Sequence, residues 1–197
     1  NYEMDICSGP ILGKLLTFTI PLIFSGILQL LFNAADVIVV GRFAGSQSLA
    51  AVGSTTALLN LMINIFIGLS VGVNVIVARY YGAKREKDVQ DTIHTAMALS
   101  IVSGLFLIIA GQLLSRPMLE LMGTPDDVID KSTIYMRIIF IGMPANMIYN
   151  FGSAIRRAVG DTKRPLYFLT AAGVINVVLN LFFVIMFRMD VAGVALA

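Results

Sequence analysis

The chain has 197 residues, of which 57% are hydrophobic and only 13% charged. An average soluble domain is roughly 25% charged, so the composition excludes an ordinary water-soluble globule and places the chain among membrane proteins. The single cysteine, Cys7, excludes an internal disulfide framework and fits no metal-site spacing.

The first predicted element covers residues 15–41, where Asp36 is the one charge. The run exceeds the roughly 20 residues needed to cross a bilayer core. It lacks a cleavage-like flank, so it reads as a span rather than a signal peptide. Ser25, Gln29, Asn33 and Asp36 recur at helical spacing within about 80° of arc, one polar stripe on an apolar helix. An Asp at a helix centre costs about 2.5–3.5 kcal/mol to insert. Asp36 is therefore expected to face a wet cavity and to take up H⁺ or Na⁺; satisfaction by neighbouring amides for packing alone is the alternative. Arg42, six residues on, sits about 120° away around the helix and is not expected to be its fixed partner.

Residues 43–78 form a second charge-free run, with Asn60 and Asn64 at i, i+4 and Asn74 on nearly the same face. "GRFAG" (Gly41 to Gly45) and "GLSVG" (Gly68 to Gly72) are small-xxx-small patterns, expected to mark close helix contact. The basic loop "RYYGAKREKD" follows. The third run, 92–115, has mainly Ser and Gly in place of amides and is assigned a peripheral position; His94, at its start, reads as an interface residue. The fourth run, 138–155, is short, but Tyr135, Met136 and a snorkelling Arg137 extend it. It carries Asn146, Asn150, Ser153 and Arg157 along one face. After the second basic loop, "RRAVGDTKRP", the fifth run covers 165–187, with Asn176 and Asn180 at i, i+4. Pro21 and Pro144 lie inside spans and permit bends. A last run, "VAGVALA", follows Asp190. Seven residues cannot span, so it reads as the start of a sixth helix inside which the chain is cut.

Lys14 and the two basic loops hold Arg79, Lys84, Arg85, Lys87, Arg156, Arg157, Lys163 and Arg164. The other side has Arg42, Arg116, Lys131 and Arg188, with the acidic residues Glu120, Asp126, Asp127 and Asp130. The positive-inside rule then predicts a multi-pass protein with a cytoplasmic N-terminus. Four of five spans carry an amide stripe. Such amides serve either as helix-to-helix glue or as the lining of a shared polar interior; their number favours the lining. The candidates are Gln29, Asn33, Asn60, Asn64, Asn146 and Asn150. The sequence has no phosphate-binding glycine loop, zinc spacing or nucleophile–base arrangement, so neither enzyme chemistry, a cofactor nor a nucleic-acid partner is expected.

The segments "GPILGKLLTFTIPLIFSGILQLLFNAADVIVVGRFAGSQSLAAVG", "GLSVGVNVIVARYYGA", "IRRAVGDTKRPLY" and "NVVLNLFFVI", in that order, resemble the N-terminal half of multidrug and toxic compound extrusion (MATE) transporters. The likeness runs from Gly9 to Ala197 and is most specific in D-x-x-x-V-G-R-x-x-G and R-x-x-G-D-x-K-x-P. It implies an all-α integral membrane protein: five transmembrane helices and the start of a sixth, residues 1–197 being one lobe of a two-lobe, 6+6 transporter whose C-terminal lobe is absent from this chain. It further implies an antiporter of the plasma membrane, bacterial inner membrane by expectation. Such a protein exports cationic, amphipathic small molecules in exchange for H⁺ or Na⁺ by alternating access. The coupling-ion site of the family falls on Asp36, with Asn176 and Asn180 on the fifth helix; any metal is Na⁺ at Asp36. Relatives often carry N-x-x-x-D where this chain has Asn176 and Asn180, so one carboxylate stands here in place of two. A lipid-linked oligosaccharide flippase and a non-transporting membrane scaffold are the alternatives. The flippase would need several cations in its cavity, and the spans offer little beyond Arg157.

Overall fold

The computed structural model describes residues 11–187 and 190–197; Cys7, Gly9 and Arg188 lie outside them. Helix α1 (Ile11–Val39) continues into a π-helical turn, Val40–Ala44. Then come α2 (Ser46–Gly82), α3 (Glu86–Leu121), α4 (Asp126–Ala158) and α5 (Lys163–Leu181), which also ends in a π-helical turn, Phe182–Met186, and finally α6 (Asp190–Leu196). The first five elements are long and apolar enough to cross a membrane, and no strand occurs among the described residues. Each predicted span maps onto one of these helices with its π-helical turn, though the 43–78 run begins before the break at Gly45, and most helices outrun the charge-free stretches. The 37 residues of α2 reach about 55 Å against a hydrocarbon core of about 30 Å. A helix satisfies its own backbone in lipid and in water alike, so it need not stop where the charges begin.

Three helix ends close by the same device. Gly123 (φ 70°) and Gly160 (φ 85°) take the left-handed conformation after α3 and α4. The Gly160 N–H donates to the Arg157 carbonyl (3.1 Å) and the Asp161 N–H to the Arg156 carbonyl (3.0 Å), capping carbonyls that the helix leaves open. Lys84 plays this part after α2, at φ 56°, with the Arg85 N–H on the Tyr80 carbonyl (3.0 Å).

The helices form two groups. In the first, α3 packs antiparallel to α4, and α2 runs parallel to α4, around Leu58, Leu107, Phe140, Met147 and Phe151. In the second, α1 and α5 lie side by side and parallel, with little contact between α5 and α4. The two groups join at the end bearing the acidic residues. There Val39, Val40, Ala51, Val52, Val128, Val184, Val191 and Val194 make one apolar cluster, into which the short α6 is built. Large apolar side chains such as Leu30, Val102, Leu113 and Phe168 are exposed along the outer faces, as a lipid-facing surface requires.

The third helix is peripheral to the polar interior: it packs mainly on α2 and α4. Its α4-facing side is nonetheless closely packed, with Ser100, Ser103, Gly104, Leu107, Gly111 and Ser115 all buried, the serines and glycines letting α4 approach. One expectation is corrected: the two small-xxx-small patterns do not mark close contacts. A Cβ at Gly45, Gly68 or Gly72 would meet nothing within 4 Å, and one at Gly41 would meet only Leu49 at 3.6 Å. Gly45 instead supplies the turn into α2 at φ 86°. The close approaches are at Gly104 against Pro144, Gly111 against Phe140 and Gly173 against Phe32.

Candidate functional site

Phe32 and Asp36 are one turn apart on α1, and Gly173, Asn176 and Asn180 follow the i, i+3, i+7 rhythm on α5. Each set therefore occupies one face of its helix. Because α1 and α5 run parallel, the two faces meet in register. Gly173 has no side chain to hold the Phe32 ring away. At the next level Asn180 Nδ2 donates to Asp36 Oδ1 and also lies 3.3 Å from Asn176 Oδ1. Asn180 is fully buried and Asp36 half-buried. The three residues predicted for ion coupling are thus brought into one cluster by helices 144 positions apart in sequence.

Chemically the cluster is one carboxylate and two amides, all oxygen acceptors apart from the amide N–H groups. The Asn180 carbonyl oxygen is buried without a hydrogen-bond partner. A proton on the carboxylate or a small hard cation on these oxygens suits such a donor set. Tyr135 of α4 packs against the neighbouring valine cluster; in the sequence it served only to lengthen the fourth span, and no local signal ties it to this site.

The other candidates divide. Gln29 and Asn150 line a cavity of about 470 Å³ between α1, α2, α4 and α5. Asn146 is joined to Asn150, whose Nδ2 lies 2.6 Å from Asn146 Oδ1. Asn33, Asn60 and Asn64 stand on exposed faces and are not among the residues lining that cavity. Asn74, noted only as part of a stripe, is helix-to-helix glue: its Nδ2 donates to the Ala154 carbonyl at 2.7 Å. Ser70 and Tyr149 also line the cavity. Neither stands out in the sequence: Ser70 lies about 80° from the centre of the α2 amide stripe, and Tyr149 looks like span filler.

A family model described as MatE matches residues 21–182. The chain is 35% identical over 162 residues to "Probable multidrug resistance protein YoeA" of Bacillus subtilis (strain 168), covering 82% of this chain and 35% of that protein. It is 31% identical over 191 residues to "Probable multidrug resistance protein YpnP" of the same organism, covering 97% and 43%. Among solved structures, "Crystal structure of MATE in complex with MaD3S" superposes with a TM-score of 0.86 at 26% identity, over 93% of this chain and 41% of that one. The chain thus spans less than half the length of these relatives.

Proposed function

Because the chain belongs to the MatE family, we propose that it belongs to the N-terminal lobe of a two-lobe secondary antiporter. The observation that carries this reading is Asp36: a carboxylate inside an apolar span, held by a buried amide from a second span. An ionisable group so placed is costly and marks an ion or substrate path. On this reading H⁺ or Na⁺ binds at Asp36, with Asn176 and Asn180 positioning the carboxylate or sharing a cation. Ion binding shifts the balance between facing states, and an amphipathic, cationic small molecule leaves in exchange. The C-terminal lobe is the partner that completes the path, since inverted or parallel repeats rocking around a midplane site are the usual build of such transporters. The protein sits in the plasma membrane, with its basic loops and N-terminus in the cytoplasm by the positive-inside rule. The membrane potential adds roughly 2.3 kcal/mol per charge per 100 mV to the drive.

The test is Asp36→Asn in the full gene product, reconstituted in vesicles with imposed H⁺ or Na⁺ gradients and a fluorescent cation as cargo. Asparagine keeps the size and hydrogen-bonding capacity but neither exchanges a proton nor neutralises Na⁺. Gradient-driven efflux is expected to vanish while insertion and expression hold. Efflux equal to wild type under either gradient would mean that Asp36 is structural.

A further inference from the structure

The cavity between α1, α2, α4 and α5 has a charge preference of its own. Its walls are largely apolar, with Phe18, Leu22, Val71 and Leu169 among them, and its volume of about 470 Å³ falls within the range of small-molecule sites. Among the described residues, one lining residue is charged, Arg157, and no Asp or Glu lines the cavity.

Most of the polar groups in the wall are already engaged. Ser25 Oγ donates to the Pro21 carbonyl at 2.8 Å, Ser70 Oγ to the Ile67 carbonyl at 2.8 Å, and Tyr149 Oη to the Pro165 carbonyl at 3.2 Å. Asn74 reaches Ala154 and Asn150 reaches Asn146. Arg157 spends its Nε–H on the Ser153 carbonyl at 3.2 Å, which leaves the four terminal N–H groups of a five-donor guanidinium. The neighbouring carboxylate, Asp161, is committed elsewhere. It is buried between Arg156 (3.7 Å) and Arg164 (3.5 Å), and its Oδ1 accepts the Arg164 backbone N–H at 3.2 Å. Arg157 and the Gln29 amide are therefore the main polar handles in an apolar chamber, and of the two only Arg157 is charged. The chamber sits at the basic end of the lobe, where Arg156 and Lys163 are also exposed. A cationic amphiphile entering it meets a like charge, with no acid among the described lining residues to offset it.

We propose that this cavity binds an amphiphile with a single anionic head group, phosphate or carboxylate, whose head is held by Arg157 and whose apolar segment lies against α1, α2 and α5. The ligand is either an anionic lipid of the adjoining leaflet or a free alkyl anion. Planar guanidinium matches the paired oxygens of both head groups. The site is separate from the Asp36 cluster, and the proposal does not depend on the antiport reading.

The experiment is a binding titration on the purified full gene product in phosphatidylcholine nanodiscs. The probes are dodecyl phosphate and, as the cation of equal chain length, dodecyltrimethylammonium. Dodecyl phosphate is expected to bind saturably, and the cation neither to bind there nor to compete. Loss of a charge-assisted contact in Arg157→Gln is expected to weaken binding by about tenfold or more, with Arg157→Lys retaining most of it. Gly26→Leu serves as an independent check. Gly26 lines the cavity and a Cβ there meets nothing within 4 Å, so leucine fills the chamber, leaves Arg157 in place, and should abolish binding. In phosphatidylglycerol nanodiscs, loss of dodecyl phosphate binding assigns the site to a lipid head group; unchanged binding assigns it to a free anion. Absence of saturable dodecyl phosphate binding in phosphatidylcholine overturns the proposal. So does equal affinity for the cation, or an Arg157→Gln variant that binds like wild type.

Discussion

A methyl group added at Gly173 tests whether the α1–α5 contact holds the coupling site together. In Gly173→Ala the new Cβ lands within the ring of Phe32, whereas carbon atoms normally rest about 3.5–4.0 Å apart. The ring and the methyl must therefore part by roughly an ångström or more. Phe32 is only half-buried, so part of the shift is a ring movement. Overpacking of this kind costs about 1–3 kcal/mol, and alanine returns about 0.5–1 kcal/mol through better helix propensity than glycine. Net destabilisation is then at most about 2.5 kcal/mol. The functional effect should be larger. Any separation of α1 from α5 draws Asn180 off Asp36 one level along, and a hydrogen bond to a charged group is worth about 1.5–3 kcal/mol. Converted at 1.4 kcal/mol per decade, that is a loss of about 10- to 150-fold in ion-coupled efflux. Phe32→Ala removes the ring, so Phe32→Ala/Gly173→Ala should transport better than Gly173→Ala alone. The assay is gradient-driven efflux from vesicles, normalised to inserted protein, for both single variants and the double variant. Wild-type efflux by Gly173→Ala, or strict additivity in the cycle, would refute the argument that this contact sets the site geometry.

Gly111→Ala should be worse for stability than Gly173→Ala. Its Cβ would strike the Cβ and Cγ of Phe140, which is fully buried and has no room to swing; a loss toward the upper end of the 1–3 kcal/mol range is expected, read as a lower thermal midpoint in detergent. Orientation is tested by single cysteines at Gly82 and Lys163, both exposed, and at Asp127 on the opposite end. An impermeant thiol reagent should label the first two only from the cytoplasmic side and position 127 only from outside; labelling of 127 from the cytoplasm reverses the topology. Asp161, in the same loop, is unsuitable as a probe position because it is buried beside Arg156 and Arg164.

The five spans were legible because hydropathy is a local property: a charge-free stretch of sufficient length is a helix in lipid whatever surrounds it. The same locality exposed Asp36, and the i, i+4 spacing put Asn176 and Asn180 on one face of their helix. Tertiary structure decided which faces meet. That Asp36 finds Asn180, that Gln29 and Asn150 share a cavity while Asn33, Asn60 and Asn64 do not line it, and that Arg157 stands there with no carboxylate among the described lining residues depend on the rotation of each helix about its axis, which period alone leaves open. The glycines show the limit most plainly. Gly68 and Gly72 form a Gly-xxx-Gly pair and have no neighbour; Gly104, Gly111 and Gly173 have the contacts without such a pair. In a membrane the lipid-facing side and the packed side of a helix are equally apolar. Hydrophobicity therefore does not say which small residue faces a helix and which faces lipid, and only the packed arrangement does.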